Sequence, residues 1–381
     1  MEHLTTLITP QSLFKDNHSD EASNRRATWY RARREGNLIV LWTCGDARII
    51  TPYENSLLVR SIATGGEIVP YKKLLNDPRV RGIMIVNHFA GPADPGIAPK
   101  GCGGLAAKGE MLNGSTDDCE KGISRYIKNN VKNPDLLMQT YSVAEAVAAV
   151  TNRPILAAAQ DHLTGSVCPI AVFLDNGELV RKSAKLGHLF QGQYDPAKLY
   201  ADGLPVLDVD KIPNQFHDIL EESESLAISL RKKYDLRALQ TVQNPRMIVL
   251  STGVKPLQVR YPETFDYPGI AFQLSLPRQV IEPGQASLED FEAALDQAEY
   301  PISHTIKNVA TPEKAFGRLD TFLIETGNMD LSAQLARILL EERPWAKEWA
   351  ALPNRQILIA EMNRGVVHRI ERFDWSAARL A

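Results

Sequence analysis

Asn37-Leu38-Ile39-Val40-Leu41-Trp42-Thr43-Cys44-Gly45-Asp46-Ala47-Arg48 is an apolar run closed by a cysteine, a glycine and a charged pair. Short continuous apolar runs of this kind belong to parallel strands buried on both faces. Gly82-Ile83-Met84-Ile85-Val86-Asn87, leading into His88, is a second such run. Open α/β sheets hold their sites outside the carboxyl ends of such strands, so Cys44 and His88 are expected at that edge. Cys102 lies in Gly101-Cys102-Gly103-Gly104-Leu105-Ala106-Ala107-Lys108, which reads as a glycine-rich turn running into a helix. A thiol near a helix N-terminus is biased toward thiolate. The stretch from Phe89 to Lys100 is too rich in Pro and Gly for helix or strand and reads as a surface loop.

Two thiolates and one imidazole are the borderline-soft ligands that suit Zn2+, and three protein ligands leave a fourth tetrahedral position open for water. Cys44, His88 and Cys102 are therefore the expected metal ligands. Asp46 and Arg48 follow the first ligand closely enough for a strand-end loop to set a carboxylate beside the open position, with a guanidinium keeping it ionised.

The Cys-x-Asp-x-Arg element, the strand ending in His and the Gly-Cys-Gly turn together resemble the β-class carbonic anhydrases. The resemblance runs from the basic helix-like stretch around Asn24 to Arg34, through Arg60-Ser61-Ile62-Ala63, to Pro154-Ile155-Leu156-Ala157-Ala158-Ala159-Gln160. Ser61 stands where that family usually has Asn. The long interval between His88 and Cys102 is similar to the divergent carboxysome-shell branch, most other members having only two residues there. The resemblance implies a zinc lyase that hydrates CO2 reversibly to bicarbonate, with Asp46 orienting the metal-activated water and Arg48 holding Asp46 deprotonated. Hydrolysis of carbonyl sulfide or carbon disulfide on the same scaffold, and a non-catalytic zinc-stabilised assembly role, are the alternatives.

The chain also echoes itself, which bears on any fold assignment. Asn37 through Cys44 is matched by Arg246-Met247-Ile248-Val249-Leu250-Ser251-Thr252-Gly253, and Arg153-Pro154-Ile155-Leu156-Ala157 by Arg355-Gln356-Ile357-Leu358-Ile359. The two echoes occur in the same order at an offset of roughly 200 residues. In the second copy Gly253 stands for Cys44, Lys255 and Leu257 fall near Asp46 and Arg48, and Gly327 falls near His88; no cysteine follows Cys168. The expected fold is α/β, with two tandem β-carbonic-anhydrase-like domains. Each is a mostly parallel sheet flanked by helices, and the second is degenerate and metal-free. The expected partition is a helical arm at 1–36, the zinc-binding domain at 37–180, a helical linker at 181–245 and the degenerate copy at 246–381. Such a chain is expected to form an intramolecular pseudo-dimer, with further homo-oligomerisation left open, since the β-class unit resembles one that pairs with itself around its substrate pocket.

At 381 residues the chain exceeds one ordinary domain. A net charge of −3 gives no electrostatic reason for a nucleic-acid or membrane partner. The N-terminus has neither a basic leader nor a long apolar core, and no segment approaches a membrane-spanning length. The expectation is a cytosolic protein or one enclosed in a bacterial microcompartment. Four cysteines are too few for a disulfide framework at this length. Cys119, Cys168 and His162 read as ordinary structural residues, and Arg60 as a supporting position.

Overall fold

The computed structural model of the chain describes residues 8–44, 56–61, 76–89, 140–141, 144–145, 147–148, 151–161, 165–174, 179–182, 207–233, 247–251, 260–261, 270–275 and 320–375. It divides into two compact units, one of residues 29–241 and one of residues 1–28 with 242–381. Each unit is built on one mixed, mostly parallel sheet, so the α/β class expected from the buried-strand runs holds.

The first sheet contains β1 (Leu38–Cys44), β2 (Ser56–Ser61), β3 (Val80–Phe89), β4 (Ile155–Asp161), β5 (Val167–Phe173) and β6 (Leu179–Lys182), in the order β2-β1-β3-β4-β5-β6. The first four strands are parallel to their neighbours, and β5 and β6 are antiparallel additions. Leu38 through Thr43 and Gly82 through Asn87 are buried without a break. This is the burial that a parallel strand covered on both faces requires.

The second sheet contains β7 (Met247–Ser251), β8 (Ile270–Ser275), β9 (Thr321–Thr326), β10 (Gln356–Asn363) and β11 (Val366–Arg372), in the order β11-β10-β9-β7-β8. Here too four strands run parallel, and the fifth in chain order, β11, returns antiparallel. Apart from β6, which has no counterpart among the described residues, the two sheets agree: the first strand in each lies between the second and third, followed by the fourth and an antiparallel fifth. A shared apolar pattern alone would not impose a shared strand order.

The registers refine the internal echo. In the first sheet Leu41, Met84, Leu156 and Val172 form one cross-strand row, buried beneath Phe216 and Ile219. In the second, Val249, Leu323 and Leu358 form a row buried with Leu13. The opposite face of each sheet meets the segment that joins its third and fourth strands: Asn87 bonds Thr140 and Phe173 contacts Tyr141, whereas Phe322 packs on Trp345 and Trp349. Crossovers of this type are right-handed, so the two rows are equivalent. Matching them pairs Met84 with Leu323 and Leu156 with Leu358, and counting onward brings Gly327 to the place of His88. The first strands match one residue away from the sequence echo, with Leu41 at Val249 and Cys44 at Thr252. A one-residue slip turns every side chain to the other face, and a run apolar on both faces carries no mark of which face is which.

Helices fill the layers. α1 (Pro10–Asn17) starts at a capping box in which Ser12 N–H donates to Thr9 Oγ1 (3.1 Å) and Thr9 N–H to Ser12 Oγ (3.2 Å), with Pro10 at the first helical position. α2 (Asp20–Arg34) carries Asp20 and Glu21 in its first turn, where carboxylates favour the helix dipole. The boundary between the units falls inside α2. Two short 3-10 turns, the second ending in the buried Phe216, lead into α3 (His217–Lys233), whose side of Ile219, Ser223 and Ala227 is buried. The expected linker at 181–245 thus contributes core to the first unit in its described part. α4 (Met329–Glu342) buries Met329, Ser332, Leu335, Ala336 and Leu339 at helical spacing. α5 (Pro344–Ala350) places Trp349 edge-on to Phe322 at 4.6 Å. Among the described residues no helix is long and apolar enough to cross a membrane.

Candidate metal centre

Cys44 is the last residue of β1 and His88 the penultimate residue of β3, and these strands are adjacent and parallel. The last registered pair between them is Thr43 with Val86, so Cys44 and the Asn87-His88 pair extend from the same edge. Neighbouring strands lie ~4.8 Å apart, a spacing that two donors to one metal ion can span. On one side Cys44 is in register with Ser61 and Thr43 with Arg60 of β2; on the other, His88 is in register with Gln160 of β4. The carboxyl edge therefore carries Ser61, Cys44, Asn87, His88, Gln160 and Asp161, whereas the strand interiors are apolar.

Two buried carboxamides hold this edge. Asn87 Nδ2 donates to Thr140 Oγ1 at 2.9 Å, and both residues are fully buried. This ties the end of β3 to the helical segment that follows it. Gln160 Nε2 donates to the Gly165 carbonyl at 3.0 Å, closing the β4 to β5 turn, where Gly165 takes a φ of 74° that favours glycine. Buried carboxamides without partners would cost ~1–3 kcal/mol each. The bonds thus tie down Asn87, which precedes His88 in β3, and Gln160, its register partner in β4. Neither Asn87 nor Gln160 was singled out from sequence; the signal was the change from apolar to amide at the end of each run.

Asp46, Arg48 and Cys102 lie outside the described residues, as do Cys119 and His162. The structure thus brings two of the five expected site residues, Cys44 and His88, to one edge at the level of the backbone. Among the described residues no group of three or more His, Cys, Asp or Glu side chains is gathered as a metal site. Cys168, on β5, forms no disulfide.

The corresponding edge of the second sheet has a different chemistry. Glu325 on β9 is fully buried, with Tyr261 Oη donating to its Oε1 at 2.5 Å and Arg260 Nη1 meeting its Oε2 at 3.0 Å. Burial first, and then the charge of Glu325, pushes the Tyr261 phenol well above its ordinary value. A carboxylate in the otherwise apolar Thr321-Phe322-Leu323-Ile324-Glu325 was the sequence signal for this cluster. A scan against protein-family models finds no match to the chain, and a search of curated proteins finds none either.

Proposed function

We propose that this chain catalyses the reversible hydration of CO2 to bicarbonate, with a zinc ion held by Cys44, His88 and Cys102. The observation that carries the reading is that Cys44 and His88 close neighbouring parallel strands at one sheet edge. Sequence continuity puts the Asp46-Arg48 loop directly after the first of them. The donor set fits zinc: two thiolates and an imidazole are its habitual ligands, and a three-ligand site keeps one position for water. When bound, zinc supplies an acidified water as the nucleophile near neutral pH.

The remaining work belongs to the chain. Asp46 accepts a hydrogen bond from the nucleophilic water and so aims its lone pair at the carbon of CO2. Arg48 pairs with Asp46 and keeps it an acceptor. The new C–O bond gives bicarbonate, and one proton passes to solvent. Asn87 and Gln160, through their bonds to Thr140 and Gly165, fix the strand ends that carry and flank His88. The second unit is a copy of the first that has lost the ligands; the shared strand order supports this.

Stopped-flow CO2 hydration on protein of measured zinc content tests the proposal, with Cys44→Ala as the control. About one zinc per chain, with hydration lost in the variant, is the expected result. Zinc with hydrolysis of carbonyl sulfide or carbon disulfide in place of hydration would move the substrate to those analogues. Zinc with none of these activities would leave an assembly role, and a chain that binds no zinc would overturn the reading.

A further inference from the structure

We infer that Gln160 is the positioning residue of His88: its carboxamide oxygen accepts a hydrogen bond from the imidazole nitrogen that does not hold zinc. The inference rests on the zinc reading and adds to it the residue that sets the ring.

An imidazole that ligates through one nitrogen carries its proton on the other, and the hydrogen bond made by that N–H fixes both tautomer and ring direction. The register of β3 and β4 supplies an acceptor. Met84 pairs with Leu156, Val86 with Ala158 and His88 with Gln160 in successive rows. The first two pairs are buried in one core cluster, so the third continues the same face of the sheet. Asn87, next to His88 in the chain, is bonded to Thr140 on the other face. Adjacent strands lie ~4.8 Å apart, a separation that a glutamine and a histidine in register can bridge.

β4 reads Ile155-Leu156-Ala157-Ala158-Ala159-Gln160-Asp161, so a carboxamide takes over where the alanines end. Gln160 is fully buried, and its Nε2 donates to the Gly165 carbonyl at 3.0 Å. That bond holds the carboxamide against the β4 to β5 turn through its nitrogen. A side chain already held in this way loses little further rotamer freedom when its oxygen meets the ring. A turn that needs only a donor could take one from many side chains; the carboxamide adds an acceptor on the same group.

The second sheet supplies an independent observation. The match that brings Gly327 to the place of His88 also brings Met362 to the place of Gln160, because Leu358 corresponds to Leu156. Met362 is buried in an apolar cluster with Leu323, Leu358 and Ala360. Where the imidazole is gone, the acceptor beside it is gone too, and a thioether fills the place.

Zinc competition titration and long-range 1H–15N spectra of the 15N-histidine-labelled full chain test this together. Gln160→Met installs the residue of the second half, and it should weaken zinc binding by about 10–100-fold. Gln160→Glu keeps an acceptor but loses the donor to Gly165, so it should recover most of the zinc affinity while its urea midpoint falls. A purely structural role predicts the opposite order, because the carboxylate would face the Gly165 carbonyl. In the zinc-loaded wild type the His88 ring N–H, identified by its absence from His88→Ala, should exchange slowly with water. If Gln160→Met does not fold, this wild-type spectrum decides. Equal zinc affinity in Gln160→Met, weaker binding in Gln160→Glu than in Gln160→Met, or a rapidly exchanging His88 N–H would overturn this inference alone. A wild-type chain that binds no zinc would overturn the zinc reading and this inference with it.

Discussion

Tyr261 and Glu325 share a hydrogen bond of 2.5 Å within a fully buried cluster in which Arg260 Nη1 lies 3.0 Å from the other carboxylate oxygen. The bond links the segment after β7 to β9 at the edge equivalent to the candidate metal centre. Removing one member of a buried ion pair leaves an uncompensated charge and costs ~3–5 kcal/mol. Glu325→Ala should therefore destabilise the second unit by about that much, and Tyr261→Phe by about 1–3 kcal/mol. Zinc stoichiometry should not change in either. Urea unfolding followed by tryptophan fluorescence, with metal content measured in parallel, checks both statements.

A half-buried phenol, Tyr141, and a buried one, Tyr261, make the chain sensitive to base. Burial, helped by Glu145, pushes Tyr141 from 10.0 up to about 12, and Tyr261 is raised well above its ordinary value. An unfolded tyrosine titrates near ~10. Above that pH the unfolded chain releases protons that the folded chain retains, so the unfolding free energy falls as pH rises. Below pH ~10 the contribution is fully present. The urea midpoint should hold steady on the neutral side of that value and decline progressively between about pH 10 and 12. Tyr261→Phe should flatten part of that decline.

Catalysis should have its own pH signature. Two thiolates donate more charge to zinc than histidines do, so the bound water should be less acidic than the ~7 typical of a three-histidine site. The hydration rate is expected to rise with pH through a midpoint above ~7. A pH profile of kcat from stopped flow measures it, and Asp46→Ala should remove most turnover while zinc stays bound.

Asn87 offers a separate handle on His88. Asn87→Ala leaves the buried Thr140 hydroxyl without its carboxamide partner and frees the end of β3. A stability loss of ~1–3 kcal/mol is expected, together with weaker zinc binding in a competition titration. Asn87→Asp, whose carboxylate can accept from the Thr140 hydroxyl in a bond of reversed direction, should recover part of the zinc affinity.

Some of this was legible from sequence. The runs before Cys44 and His88 became β1 and β3, because unbroken burial on both faces has a distinctive apolar signature. The same property hid the register: Ile248-Val249-Leu250 resembles Ile39-Val40-Leu41 letter for letter, yet the rows align one residue away. The helical character of the arm at 1–36 and of the linker at 181–245 was expected, but not the burial of Leu13 and Phe216, since one apolar side chain in a polar helix carries no mark of the sheet that receives it. Glu325 was visible as a carboxylate inside an apolar strand, but its partners come from Arg260 and Tyr261, far away in the chain and marked by no spacing rule.

α1 carries both Leu13 and Asn17, whose Nδ2 donates to the Gly365 carbonyl of the β10–β11 hairpin across 348 residues of sequence, and this sets a clock on biosynthesis. A ribosome adding ~5–20 residues per second takes roughly 20–70 s to make the receiving hairpin after the helix has emerged. Throughout that interval Leu13 lacks the seat among Met247, Val249, Leu323 and Leu358 that buries it in the folded chain. The contact can close only once Gly365 has been made, so a chaperone that shields Leu13 must act within that interval.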